Sequence, residues 1–197
     1  MKAITLPAPR VQGERSLEEV LAARRSVRAF RPDPLTTAEV GQLLWAAQGV
    51  TGDRPVLRAA PSAGACCPLE LYLCRADGVW HYEPVPHRLA LQMEDDVRGA
   101  LATAAWGQGA IAQAPAVFVV SAVFGRTTAR YGERGRLRYV PMDAGHAAEN
   151  LLLQAVALGL GGVAIGAFDD TAVARVLHLP VDQEPLYLLP VGRPAAR

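Results

Sequence analysis

Nine residues in the middle of the chain, Ala116 to Phe124 (AVFVVSAVF), carry one hydroxyl and no charge. A strand of that composition has no face to show to water. It belongs inside a sheet, with a packed layer on each side. A second segment needs similar company. From Met142 to Leu158, residues Ala144, Ala147, Ala148, Leu151, Leu152, Leu153, Ala155 and Val156 cover almost the whole circumference of a helix. Such a helix is a central core element and not a surface one. Its most apolar stretch, Leu151 to Leu160, is interrupted by Gln154 and Gly159 and is too short to span a bilayer. The elements around these two mix helix and strand without a regular βαβ alternation, which predicts an α+β fold.

Local signals place the remaining elements. Residues 1–15 hold Pro7 and Pro9 and lack periodicity, so they read as an extended arm before a single domain at 16–197. Ser16-Leu17-Glu18-Glu19 is a capping box, with Leu17, Val20 and Leu21 forming a stripe that runs to about Arg25. Thr36-Thr37-Ala38-Glu39 is a second box, and Gly49 ends that helix. A Gly-, Pro- and Arg-rich loop fills 51–68. Leu69, Leu71 and Leu73 then alternate as a strand, Asp77-Gly78 signals a hairpin, and Val79 to Tyr82 returns. Residues 94–113 read as helical and Val163 to Gly166 as a short strand. Asp169 or Asp170 caps a small helix ending near Leu177, and Pro185 to Val191 is the last strand.

The bulk properties exclude several classes of function. The net charge of +1 gives no global field for nucleic acid or acidic membranes. Lys occurs only at position 2, so cationic chemistry must come from arginine. Three cysteines, Cys66, Cys67 and Cys74, make no disulfide framework, and none is spaced with a histidine as zinc ligands are. Residues 1–6 lack the apolar core of a signal peptide. A reduced, cytoplasmic setting fits best.

Four constellations stand out. Arg24-Arg25-Ser26-Val27-Arg28-Ala29-Phe30 sets three guanidiniums and a hydroxyl within five residues, a donor set suited to phosphate oxygens. By itself the run reads equally as a solvated basic helix end. Gly159 to Asp169 (GLGGVAIGAFD) offers bare amides and close backbone approach to a flat ligand; its plainer reading is a glycine-rich helix stop. Pro61-Ser62-Ala63-Gly64-Ala65 is a small-residue loop before a strand, and Gly192-Arg193-Pro194 puts a cation after the last strand. On the core helix, His146, Glu149, Asn150 and Gln154 share a face and read as groups that satisfy one another or buried backbone. Cys66 and Cys67 read as packing residues.

Taken in order, these segments resemble the nitroreductase-like FMN-dependent oxidoreductases, and within them the SagB-type branch that includes azoline dehydrogenases. The likeness runs through LEEVLAARRSVRAF, PLTTAEVGQLLWAAQGV, APSAGACCPLELYL, RYGERGRLRYVPMDAGHAAENLLLQAVALGLGGVAIGAFDD and PLYLLPVGRP. It implies a homodimer with a mostly antiparallel sheet and FMN bound at the interface. It places Arg24, Ser26 and Arg28 on the phosphate, Arg25 on the phosphate or the flavin pyrimidine edge, and Arg193 as a second phosphate-side cation. It has Pro61, Ser62 and Ala63 cover the partner's flavin. Ile165, Gly166 and Ala167 lie along the ring, with a backbone amide at Gly166 aimed at N5. It makes Tyr131 a candidate proton carrier, although Arg130 stands where azoline-oxidising members carry Lys, and Arg does not deprotonate. The implied activity is hydride transfer to or from a small organic or peptide-derived substrate, with NAD(P)H a candidate reductant and oxygen a candidate acceptor. A catalytically idle flavin-binding accessory subunit is the alternative. No metal, membrane or nucleic acid enters either reading.

Overall fold

The computed structural model describes residues 2–195. Among the described residues, seven α-helices and seven strands follow in chain order: β1 (Ala3–Thr5), α1 (Leu17–Ala23), α2 (Thr37–Gln48), β2 (Leu69–Arg75), β3 (Gly78–Glu83), β4 (Arg88–Met93), α3 (Arg98–Ala104), α4 (Gly109–Gln113), β5 (Ala116–Val123), α5 (Gly125–Arg134), α6 (Val140–Ala157), β6 (Gly161–Gly162), α7 (Asp170–Val176) and β7 (Gln183–Gly192), with a π-helical turn (Gly135–Tyr139) joining α5 to α6. The strands form one sheet in the order β1-β4-β3-β2-β5-β7-β6, and every neighbouring pair is antiparallel.

β5 lies inside this sheet between β2 and β7, as its composition requires. Its pleat divides the core in two. Ala116, Phe118, Val120 and Ala122 face a cluster with Val40, Leu43 and Leu44 of α2 and Ala144, Ala147 and Leu151 of α6. Val117 and Val119 face the opposite cluster, with Leu101 of α3, Ile111 of α4 and Val173 of α7. Successive side chains point to opposite faces of a strand, so a run apolar at every position serves two layers at once. The hairpin places Arg75 opposite Gly78, and Arg75 grips the turn residue Asp77 through two bonds of 2.9 and 2.8 Å.

Both capping boxes form as expected, with Glu19 and Glu39 each reaching back to its N-cap amide at 2.7 Å. Other expectations change. The arm is docked and partly ordered: Ala3–Thr5 pairs with β4, Leu6 is buried, and the Arg10 amide donates to Gln42. β4 itself was not expected. The helical stretch foreseen at 94–113 is two helices, because Trp106 and Gly107 take positive φ of 54° and 80° between them. The short strand sits at Gly161–Gly162, earlier than foreseen, while Ile165 makes an isolated bridge to Leu188.

Candidate functional site

The arginine run does not continue α1. That helix stops at Ala23, and Ser26 forms a parallel bridge to Gly162 of β6, with the Val27 amide donating to the Gly162 carbonyl at 3.0 Å. Farther on, Phe30 bridges Pro194, the Arg31 amide donates to the Arg193 carbonyl at 2.8 Å, and the Ala195 amide to the Ala29 carbonyl at 3.0 Å. The segment is therefore clamped at the end of the sheet, against β6 on one part and residues 193–195 on the other. The glycines of β6 make the clamp possible. A Cβ on Gly161 would lie 2.6 Å from Val27 Cγ2, and one on Gly162 would lie 2.8 Å from the Pro190 carbonyl oxygen. Their bareness serves this protein–protein approach, where the sequence had suggested approach to a ligand.

The clamp sorts the cations by how far their charge is answered. Arg24 faces Glu149 at 3.4 Å, and Arg193 is held by Glu39 at 2.7 Å and by the Pro34 carbonyl. Arg25 donates only to the carbonyls of Ala22 and Arg24. Arg28 is exposed and meets no carboxylate among the described residues. Arg25 and Arg28, whose charge no carboxylate answers among the described residues, fit the phosphate of a flavin mononucleotide together with the Ser26 hydroxyl. Arg24 and Arg193 reach an anion only by sharing with their glutamates. On the same edge, the Gly166 amide finds no acceptor among the described residues, in contrast to Ile165, whose amide donates to Leu188 at 2.9 Å. Ala167 lends its carbonyl to Gln108. An exposed, unanswered amide at Gly166 fits a ring nitrogen that gains electron density on reduction.

The Pro-Ser-Ala-Gly loop is built around a residue the sequence did not single out. Asp143, buried near the start of α6, accepts from the Ser62 hydroxyl at 2.7 Å and the Ala63 amide at 3.3 Å. Burial pushes its carboxyl above the usual range, against the pull of these two bonds and of His146. The Ser62 oxygen in turn accepts from the Cys67 amide at 3.0 Å. Gly64 needs its positive φ of 59°, and a Cβ there would lie 2.5 Å from the Tyr131 hydroxyl and 2.9 Å from an Arg130 nitrogen. Tyr131 and the loop are therefore brought together within one chain.

Three of the polar residues singled out on α6 make structural contacts. Asn150 donates to the carbonyls of Ala46 and Ala59, Gln154 accepts from Gln42, and Glu149 answers Arg24. All three cysteines are free, with Cys74 buried and Cys66 and Cys67 half-buried. Among the described residues no group of His, Cys, Asp or Glu is arranged to hold a metal ion, and no helix is long and apolar enough to cross a membrane. A separate cleft of about 810 Å³ lies between the arm, α2 and α6, lined by Val11, Leu17, Gln42, Trp45 and Leu153 among others. None of the predicted ligand residues lines it. The chemical groups gather instead at the sheet end and at the Gly64 loop.

A profile of the Nitroreductase family matches residues 21–193. A candidate nitroreductase of Methanocaldococcus jannaschii is 44% identical over 186 residues, 91% of this chain and 92% of that protein. The crystal structure of a candidate nitroreductase from Ralstonia eutropha has a TM-score of 0.88 and 32% identity, covering 100% of this chain and 91% of that one. The NADPH:FMN oxidoreductase of Vibrio harveyi, solved with NAD+, has a TM-score of 0.69 and 23% identity over 91% of this chain and 69% of that one, a likeness of fold.

Proposed function

The chain belongs to the nitroreductase family, and from that premise we propose that it is an FMN-dependent oxidoreductase of the SagB-type branch, acting as a homodimer on a small organic or peptide-derived substrate. The observation that carries this reading is the clamp. It sets Arg25 and Arg28, whose charge no carboxylate answers among the described residues, and Ser26 on the sheet edge that also carries the Gly166 amide, which finds no acceptor among those residues. Bound there, the flavin supplies reversible two-electron hydride exchange at N5. The protein's part is to hold and orient. Arg25, Ser26 and Arg28 hold the phosphate, with Arg24 and Arg193 beside them. Ile165, Gly166 and Ala167 line the ring, and the Gly166 amide donates to it. Pro61, Ser62 and Ala63, braced by Asp143, cover the partner's ring. Tyr131, resting on Gly64, is the side chain placed to carry a proton.

One observation favours a second reading. Arg130 donates to the Gly64 carbonyl at 3.3 Å and cannot serve as a base, which suits an accessory subunit that binds flavin without turnover. One preparation separates the two. The purified protein should be yellow, release FMN on heating, and be bleached by NADPH and reoxidised by a nitroaromatic or oxygen. Tyr131→Phe should keep the nicotinamide half-reaction and slow substrate oxidation by roughly 100-fold, the scale of acid–base assistance. Yellow protein that no donor bleaches supports the accessory reading. Protein that takes up no FMN defeats both.

A further inference from the structure

The segment from α5 through the π turn, Gly125 to Tyr139, contains five arginines and one glutamate. Most of its surface faces solvent, with Thr127 and Gly135 its buried residues. Two of the arginines are neutralised by partners outside it. Arg126 pairs with Glu70 at 2.6 Å, and Arg136 makes two bonds to Glu184 at 2.8 and 2.7 Å. Arg130 and Arg134 are treated differently. Each is held in place, yet no carboxylate answers either of them among the described residues. Arg130 donates to the Gly64 carbonyl and lies 5.3 Å from the Tyr131 ring centre. Arg134 donates to the Tyr139 hydroxyl at 2.8 Å and lies 5.6 Å from that ring's centre. The two rings stack edge to face, 5.0 Å apart. The result is one contiguous unit in which two guanidiniums flank a tyrosine pair.

This is an unusual way to use arginine on a surface. A solvated charge has no need to be oriented, and an oriented charge is normally answered by an acid. Here neutral acceptors and aromatic faces fix the planes of both guanidiniums, so less rotamer freedom is left to lose on binding. The remaining N–H groups keep their full charge. The unit also has an address. Tyr131 and Arg130 occupy the space where a side chain on Gly64 would lie, so the pair sits on the loop proposed to cover the flavin. Glu133 is the segment's own carboxylate, and it forms no ion pair among the described residues.

We propose that Arg130 and Arg134, set on the Tyr131–Tyr139 stack, bind the anionic oxygens of the small molecule that exchanges hydride with the flavin. The shared chemistry is a phosphate or carboxylate group. The phosphates of a nicotinamide donor and the carboxylate of an acceptor are its two sources. This inference rests on the oxidoreductase reading above. It also gives Arg130 a use that its failure as a base leaves open.

The test compares charged and neutral partners of like reactivity. One pair is NADPH and 1-benzyl-1,4-dihydronicotinamide, which lacks phosphate. The other is 4-nitrobenzoate and 4-nitrobenzyl alcohol. For each pair the ratio of kcat/KM values measures the preference for the anion. The double variant Arg130→Gln/Arg134→Gln should lower that preference about tenfold, the scale of a lost charge-assisted bond on an open surface. A fall in the first ratio identifies donor phosphates, and a fall in the second identifies an acceptor carboxylate. Calorimetry with adenosine 2′,5′-bisphosphate, which is redox-inert, reads the donor arm as affinity without turnover. Both ratios unchanged, with flavin content intact, overturn the proposal. If the variant loses flavin, the wild type decides: an anion preference that falls with ionic strength supports the site, and one indifferent to salt overturns it. A yellow wild type that reacts with none of the four compounds fails the oxidoreductase reading itself, a result distinct from unchanged ratios.

Discussion

At the scale of single residues, the arginines of the run are unequal, and the difference is visible in their partners. Among the described residues Arg28 has no acid beside it, while Arg24 and Arg193 are answered by Glu149 and Glu39. On the proposed reading, removing Arg28 takes away charge that the FMN phosphate uses. Arg28→Ala should therefore weaken FMN binding about tenfold without lowering stability. Arg193→Ala should cost stability as well, because it frees Glu39 and the Pro34 carbonyl. Titrating apo-protein with FMN beside a urea melt checks both, and an unchanged dissociation constant for Arg28→Ala would make it an ordinary surface charge. The arginine run could be found by eye, since its members are neighbours in sequence. Asp143 could not. Its partner Ser62 lies far away in the chain, and one acid near the start of an apolar helix has no distinguishing spacing.

At the scale of elements, legibility followed locality. The two capping boxes, the Asp77-Gly78 turn and the β5 run are short-range signals, and each names its element. β4 was missed although Leu89, Leu91 and Met93 alternate, because it begins beside the Pro-rich turn that ends β3. α5 was missed for a different reason. Its sequence, GRTTARYGER, has no apolar stripe, and it is fastened by the Arg126–Glu70 ion pair and the Arg130 bond to the Gly64 carbonyl and not by a buried face. Glu70 is the main fastening, joining β2 to His81 of β3 at 2.7 Å and to Arg126 of α5 at 2.6 Å. Burial alone would raise its carboxyl, but the bonds from His81 and Arg126 outweigh burial and hold it below its ordinary value of 4.5. The folded state therefore prefers Glu70 ionised. This contribution is fully present above the ordinary value and is lost as pH falls through the depressed one. Glu70→Gln should lower the urea midpoint at neutral pH and flatten its decline in acid. Parallel acid limbs for variant and wild type would count against the tie.

For the molecule as a whole, the two-layered core accounts for stability and leaves apolar surface unspent. Val11 and Leu17 line the 810 Å³ cleft at 82% and 61% exposure, and Leu21 lies nearby at 52%. On the proposed reading of a homodimer, a second copy covering this side would bury them. Sedimentation at micromolar concentration should show a dimer. A folded, flavin-loaded monomer would remove the claim that the loop acts in trans. The clamp carries a consequence for the order of events in time. It joins residues 26–31 to residues 161–162 and 193–195, so a growing chain has no phosphate cradle until nearly all of it has been made. On the proposed reading, the nascent chain stays colourless through almost all of its synthesis. Yellow colour in the purified protein would then mark molecules that have finished folding.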